Sequence, residues 1–305
     1  METSITTTLP KTPSANLPSR IESIIEFYNQ ATVDYAYWSK GFNMHYGFLK
    51  NWKQFFHREQ MLEEMNKQVV ERLKVNPSSL ARIIDLGCGV GATCRHIAKT
   101  SANWKVTGIN IVQEHIQKGN QLNRLSNTSN QINLVLGNYQ NVPLPSDSFD
   151  GLCALESMCH ATNKAQLLTE SLRLLKPGSK LVITDCFRRS QGKIANPVSA
   201  LSYEAFKKNW RVELANIDSI EQTLTKLGFQ DITIEDIRSK VAPSVMHSPY
   251  VVLKFFIGEL FKGRKIGREN LKNIKAVLQS IPIGLDHRNF SYFIITATKP
   301  KDSSK

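Results

Sequence analysis

No apolar run in this 305-residue chain approaches the roughly 20 residues that cross a bilayer, so a membrane-spanning helix is excluded. Metal chemistry has no foothold either. There is no Cys-x-x-Cys or His-x-x-x-His pair and the seven histidines are scattered, so no metal site is expected. Cysteine is scarce and odd in number. Cys88, Cys94, Cys153, Cys159 and Cys186 sit in apolar contexts and read as reduced core residues rather than a disulfide framework. Residues 1–18 lack the basic start and apolar centre of a signal peptide; rich in Thr, Ser and Pro, they read as a disordered leader. A cytoplasmic protein is the expectation. Acidic residues are outnumbered, 26 against 39 Lys and Arg, for a net charge of +13. The excess is densest at Lys254, Lys262, Arg264, Lys265, Arg268, Lys272 and Lys275, which suits a phosphorylated small molecule, an acidic membrane surface, RNA or a merely solvated face. No recognisable RNA module accompanies it, so no nucleic-acid partner is expected.

What is present is alternation. Strand-like segments at 81–86, 105–109, 132–136, 149–155, 180–185, 231–237 and 290–299 alternate with helical ones at 92–100, 113–125, 164–175 and 220–227. This pattern predicts an α/β fold: a doubly wound, Rossmann-like, mainly parallel seven-stranded sheet. Before it, residues 19–75 read as an aromatic-rich helical cap from Ile21 to Lys74, and 76–186 as the cofactor-binding core. Residues 187–221 read as an inserted helical lid, and 222–299 as the rest of the sheet, carrying a basic helical insert near 245–280. Ligands of such sheets lie at the carboxyl ends of the strands, where Asp85, Asn110, Asn138 and Glu156 fall.

The most informative stretch is Asp85-Leu86-Gly87-Cys88-Gly89-Val90-Gly91, an apolar strand running into alternating glycines. Glycines let a ligand approach the backbone, and the following helix offers free N–H groups. Asp85 then selects the ligand. A pyrophosphate would be repelled by that carboxylate, whereas S-adenosylmethionine (SAM) carries a sulfonium and an ammonium and would be attracted.

The run from Asp85 to Gly91, with Val142-Pro143-Leu144-Pro145, Ser148-Phe149-Asp150 and Leu174-Leu175-Lys176-Pro177-Gly178, resembles class I SAM-dependent methyltransferases over roughly residues 60–190. Within them, Ala154-Leu155-Glu156-Ser157-Met158-Cys159-His160-Ala161 is similar to the Ala-Ile-Glu-Ala-Thr-Cys-His-Ala stretch of sterol C-methyltransferases, relatives of the tocopherol and terpenoid-diphosphate enzymes. The segment from Tyr35 to Phe48 looks like the aromatic entrance of the same group. The second strand ends in Gly108-Ile109-Asn110, without the ribose-binding acid of many class I members, a departure that the sterol and tocopherol relatives share.

The resemblance implies SAM as cofactor, S-adenosylhomocysteine as product, and a cofactor site of Asp85, Gly87, Cys88, Gly89, Gly91, Asn110, Ile111, Gln113, Asn138, Tyr139 and Leu155. Ribose contacts fall to Asn110, Ile111 or Gln113. An amide oxygen of Asn138 can accept from adenine, and Tyr139 can cover its face. If the acceptor is an isoprenoid alkene, methylation leaves a carbocation, and Glu156 is placed to stabilise it, with His160 as proton relay and His45 as a further base. Tyr46 joins these in the catalytic group; Tyr35, Tyr37, Trp38 and Phe48 would wall the acceptor. The partner is then a hydrophobic small molecule. A diphosphate on it would call for Mg and for Lys40, Arg188, Arg189 or the Lys262–Arg268 cluster, whereas a lipid-borne acceptor would use Tyr250–Leu260 as a peripheral membrane-facing helix. That helix equally suits a lid or a homo-oligomer contact. O- or N-methylation of an aromatic or amine product, and a non-catalytic SAM-binding or RNA-binding module, are the alternatives.

Overall fold

The computed structural model describes residues 19–31, 35–262 and 267–301. The expected leader at 1–18 lies outside them. Seven strands form where apolar runs end in turns: β1 (Ala81–Leu86), β2 (Trp104–Asn110), β3 (Ile132–Leu136), β4 (Phe149–Leu155), β5 (Leu175–Arg188), β6 (Gln230–Asp236) and β7 (Phe290–Thr298). They make one sheet in the order β3-β2-β1-β4-β5-β7-β6. The first five neighbours are parallel, and only β7 runs antiparallel to both β5 and β6. The strand order reverses beside β1, which opens the crevice where such sheets bind ligands.

Helices α4 (Ala92–Thr100), α5 (Gln113–Leu125), α6 (Lys164–Leu174) and α8 (Ile217–Lys226) follow the strands. Asparagines start two of them. Asn163 accepts from Gln166 N and Asn216 from Ser219 N, which satisfies orphan donors and moves the start of α8 three residues ahead of the expected Ile220. One apolar layer gathers Ile83, Cys94, Ile97 and Val106, the opposite one Ile84, Leu86, Leu152, Leu167 and Leu181. The sheet is thus buried on both faces.

A roof is built from the ends of the chain. Helices α1 (Ser19–Ala31), α2 (Tyr35–Trp38) and α3 (Arg58–Leu73) precede the sheet; α7 (Pro197–Trp210), α9 (Arg238–Met246), α10 (Ser248–Phe261) and α11 (Arg268–Leu285) are inserted late. Helix α11 packs on α7, α1, α9 and α10, so the two ends of the chain meet over the sheet edge. The basic insert expected near 245–280 takes in the end of α9, all of α10 and most of α11.

The helical pattern expected from Ile21 to Lys74 is broken. Between α2 and α3 the chain runs non-helically from Ser39 to Asn51, with a short turn at Trp52–Gln54. Long-range partners outcompete the helix there: Tyr46 N–H donates to Glu156 Oε1 (2.6 Å), Gly47 N–H to Ser244 Oγ (2.8 Å), and Phe48 N–H to the Met61 carbonyl (2.8 Å). A Cβ on Gly47 would lie 2.5 Å from Met61 Cβ, so only glycine lets this strap lie against α3. No helix among the described residues is long and apolar enough to cross a membrane.

Candidate active site

Two adjoining cavities open at the carboxyl ends of β1, β2 and β4. Tyr28, Met44, Glu156 and His160 belong to both walls. These four residues therefore mark the junction.

The first cavity is floored by the glycine loop. Gly87, Gly89 and Gly91 have φ of 87°, 52° and 76°, a left-handed conformation that side chains resist. A Cβ on Gly87 would fall 2.4 Å from Ser157 Cβ, and the Ser157 hydroxyl fixes that contact by donating to the Leu86 carbonyl at 2.6 Å. Asp85, Cys88, Asn110, Ile111, Asn138, Tyr139 and Leu155 line this cavity with Gly87 and Gly89. Gly91 does not; it packs towards Leu134 and starts α4. Gln113 is also absent from the wall, being exposed in the first turn of α5, and His115 takes the place expected of it. A helix turns residues two apart to different faces, which the strand-end rule could not foresee.

Asp85 is fully buried, and burial pushes its carboxyl up to about 7. Cys94 Sγ donates to it at 3.4 Å. The Asn110 carboxamide is committed to its surroundings: Oδ1 accepts from Ile111 N at 3.0 Å and Nδ2 lies 2.9 Å from His115 Nδ1. Asn138 Oδ1 accepts from Gln140 N at 2.9 Å, so the oxygen expected to meet adenine already closes a turn. The Tyr139 hydroxyl donates to the Ser157 carbonyl at 2.8 Å, which fixes its ring in the wall.

The second cavity measures about 260 Å³ and is walled by aromatic and aliphatic side chains from the strap, α2, α7, α9, α10 and α11. Glu156 projects from the turn after β4 with φ of 44°. Left-handed backbone at a non-glycine residue costs of order 1–3 kcal/mol and recurs where geometry serves function. Its Oε1 accepts from Tyr46 N at 2.6 Å and from the Tyr292 hydroxyl at 2.7 Å, while burial pushes its carboxyl up to about 8. His160 Nε2 lies 2.7 Å from the Tyr28 hydroxyl, and burial pulls the imidazole down to about 4, so it is neutral at physiological pH.

Residues 84–183 match a methyltransferase-domain family. The Arabidopsis thaliana cycloartenol-C-24-methyltransferase is 28% identical over 85% of the chain and 75% of its own length. An Aspergillus nomiae O-methyltransferase is 31% identical over 58% of the chain and 75% of its own. The geranyl diphosphate C-methyltransferase of Streptomyces coelicolor, solved with Mg2+, geranyl diphosphate and S-adenosylhomocysteine, superposes with a TM-score of 0.70 at 16% identity. It covers 93% of this chain and 99% of that one, a likeness of fold. This chain is a class I SAM-dependent methyltransferase.

SAM is the cofactor of this methyltransferase, and the remaining expected residues sort around the two cavities. Tyr37 and Trp38 line the second. Tyr37 is tied down, its hydroxyl donating to Glu259 at 2.7 Å, and the Arg58 guanidinium sits 4.1 Å over the Trp38 ring. Phe48 instead packs in the core under α3 and lines neither cavity, and the Tyr35 side chain lies outside the described residues. His45, expected as a base towards the acceptor, faces the first cavity only; Nδ1 lies 2.9 Å from the Tyr46 carbonyl and Nε2 3.1 Å from Asn66 Oδ1. Tyr46 serves through its backbone, since its hydroxyl donates to Ser280 at 2.9 Å.

Three participants went unread in the sequence. Tyr28 comes from α1, Tyr292 from β7, and Asp185 from within β5, three residues before its end, where it lines the second cavity and accepts from Cys159 N (2.9 Å) and Cys186 N (2.8 Å). Asp185 had a signal. It ends the apolar run Leu181-Val182-Ile183-Thr184 as Asp85 ends its own strand. None of the expected anion partners whose side chains are described lines the second cavity: Lys40 is exposed, Arg188 bonds the Gly192 carbonyl, Arg189 pairs with Asp236, and Lys262 with Glu259. Arg264, Lys265 and the Arg268 side chain lie outside the described residues. Among the described residues Arg238 is the one Lys or Arg in that wall, and no metal-holding cluster of His, Cys, Asp or Glu exists.

Three carboxyls shifted by desolvation predict the pH response of the cofactor-free enzyme. Burial raises Asp85 to about 7, Glu156 to about 8 and Asp185 to about 6, so the folded protein keeps protons that the unfolded chain has lost. Their stabilising effect is lost as pH climbs through those values. His115 and His160, pushed down from 6.5 to about 4, oppose this only below pH 6.5. Melting temperature should fall between about pH 6.5 and 8, where the histidines no longer offset the carboxyls, a decline that SAM reduces by favouring the ionised carboxylates. A melting series that instead rises from pH 6.5 to 8 contradicts the assignment.

Proposed function

We propose that the methyltransferase adds a methyl group to an alkene carbon of an uncharged, apolar isoprenoid. One observation carries the reading: the half-buried carboxyl of Glu156 stands where the cofactor-side cavity meets an aromatic and aliphatic one. SAM supplies an electrophilic methyl group on a sulfonium. Asp85 would receive its ammonium, the glycine loop would let it lie against the protein backbone, and Tyr139 would wall its base. Tyr28 and Met44 line that junction with Glu156.

The alkene electron pair forms the new C–C bond while the sulfur–carbon pair returns to sulfur, leaving the acceptor with a positive charge. Glu156 and Asp185 stabilise that charge, helped by the aromatic faces of the cavity. Neutral His160, held by the Tyr28 hydroxyl, takes the proton whose loss restores a double bond. The sterol and terpenoid C-methyltransferases among the relatives and fold neighbours support this class of acceptor. A wall with Arg238 as its cation favours a neutral acceptor over a diphosphate.

The Aspergillus relative favours a second reading, O-methylation, in which His160 deprotonates a hydroxyl. Incubation with labelled SAM and a panel of neutral terpenes, sterols, prenyl diphosphates and phenols, followed by location of the new methyl, separates the two. A methyl on carbon of a neutral isoprenoid is expected. A methyl found only on oxygen or nitrogen removes the carbocation role of Glu156.

A further inference from the structure

Helix α10 is apolar on both sides. Its inner side carries Val251 and Phe255, buried and lining the acceptor cavity, and Gly258, where a Cβ would fall 2.4 Å from the Tyr37 ring. That side is seated against α2 and α11. The opposite side shows Tyr250, Leu253, Ile257, Leu260 and Phe261, which recur at helical spacing, with Leu260 78% and Phe261 87% exposed. A surface helix of a water-bathed protein is polar on its outer face; one apolar all round is covered by something.

Charge says by what. The outward charges of α10 and its end are Lys254 and Lys262, both positive, while its one acid, Glu259, is buried and accepts from the Tyr37 hydroxyl. At the amino end, His247 stacks edge-on against Phe55, which in turn touches Trp52 and Phe56, themselves 78% and 82% exposed. Lys53 lies exposed between those aromatics. Exposed Trp and Tyr beside leucines, rimmed by lysines, match the chemistry of a bilayer interface with anionic headgroups.

We infer that the outer face of α10, continued by Trp52 and Phe56, docks on an anionic lipid surface, so that a membrane-dissolved acceptor enters the cavity lined by the inner face of the same helix. The route rests on the apolar-acceptor reading above; the docking itself does not. Docking of this kind needs no spanning segment, because insertion of one apolar face is enough.

Cosedimentation with phosphatidylcholine vesicles, with and without phosphatidylglycerol, tests it. The wild-type protein should bind the anionic vesicles, lose affinity as salt rises, and bind neutral ones at least tenfold more weakly. The triple substitution Leu253→Glu, Ile257→Glu, Leu260→Glu should lower binding at least tenfold, and Lys254→Glu severalfold, with SAM affinity and melting temperature kept in both. Absence of vesicle binding by the wild type, or binding indifferent to both variants, overturns the inference. So does a concentration-dependent dimer in ultracentrifugation that the triple substitution abolishes while vesicle binding is missing, since a second copy would then cover the face. Vesicle binding is read without turnover, so failure of the isoprenoid assignment in product analysis is distinguishable from failure here.

Discussion

Glu156→Gln is expected to lower turnover by roughly 10²–10⁴-fold, the range over which a positioned acid–base or charge-stabilising group acts. The amide keeps the volume of the side chain and can still accept from Tyr46 N and Tyr292 Oη, so the turn after β4 keeps its supports. What it loses is the capacity to ionise beside a cation at the junction of the two cavities. Stability should move the other way. Burial raises the Glu156 carboxyl to about 8, which means its ionised form is disfavoured inside the protein, and an uncharged amide escapes that cost. An enzyme that melts higher above pH 8 yet turns over far more slowly is the expected pair of results. Full turnover in Glu156→Gln on the best acceptor would show that the charge at this position is not used.

Asp85→Ala should weaken SAM binding by roughly 1–3 kcal/mol, the scale for losing a charged hydrogen bond. The wild-type affinity should also rise with pH through about 7 and level off above it, because an ammonium prefers the ionised carboxylate and burial holds that carboxyl up to about 7 in the absence of ligand. Asp85→Asn keeps the shape without the charge and should flatten that part of the profile. Calorimetry across pH 5.5 to 8.5 reads both effects. Equal affinity of wild type and Asp85→Ala at pH 8 would remove Asp85 from the ammonium site.

The local part of this enzyme could be read directly from residues. A strand that ends in an acid and three glycines declares a turn, a backbone approach and a cation preference within seven positions, because each follows from sterics and charge at neighbouring atoms. Alternation declared the sheet for a similar reason, since burial on both faces demands continuous apolar strands. Gln113 and Phe48 show where that reading ends. Both lie close in sequence to residues that do reach the cavities, yet helix phase turns Gln113 to solvent and the strap's docking on α3 turns Phe48 to the core.

By itself the sequence determined the sheet, the glycine loop with Asp85, and the place of Glu156 at a strand end, all of which depend on short-range pattern. Tertiary structure alone decided how Glu156 is held. Its partners Tyr46 and Tyr292 stand 110 and 136 residues away, and the cavity it faces is roofed by helices from both ends of the chain. Tyr28, Asp185 and the double-sided α10 entered by the same route. Such contacts carry no local signature, because what brings them together is the burial of apolar surface that the parallel sheet leaves uncovered at its edge.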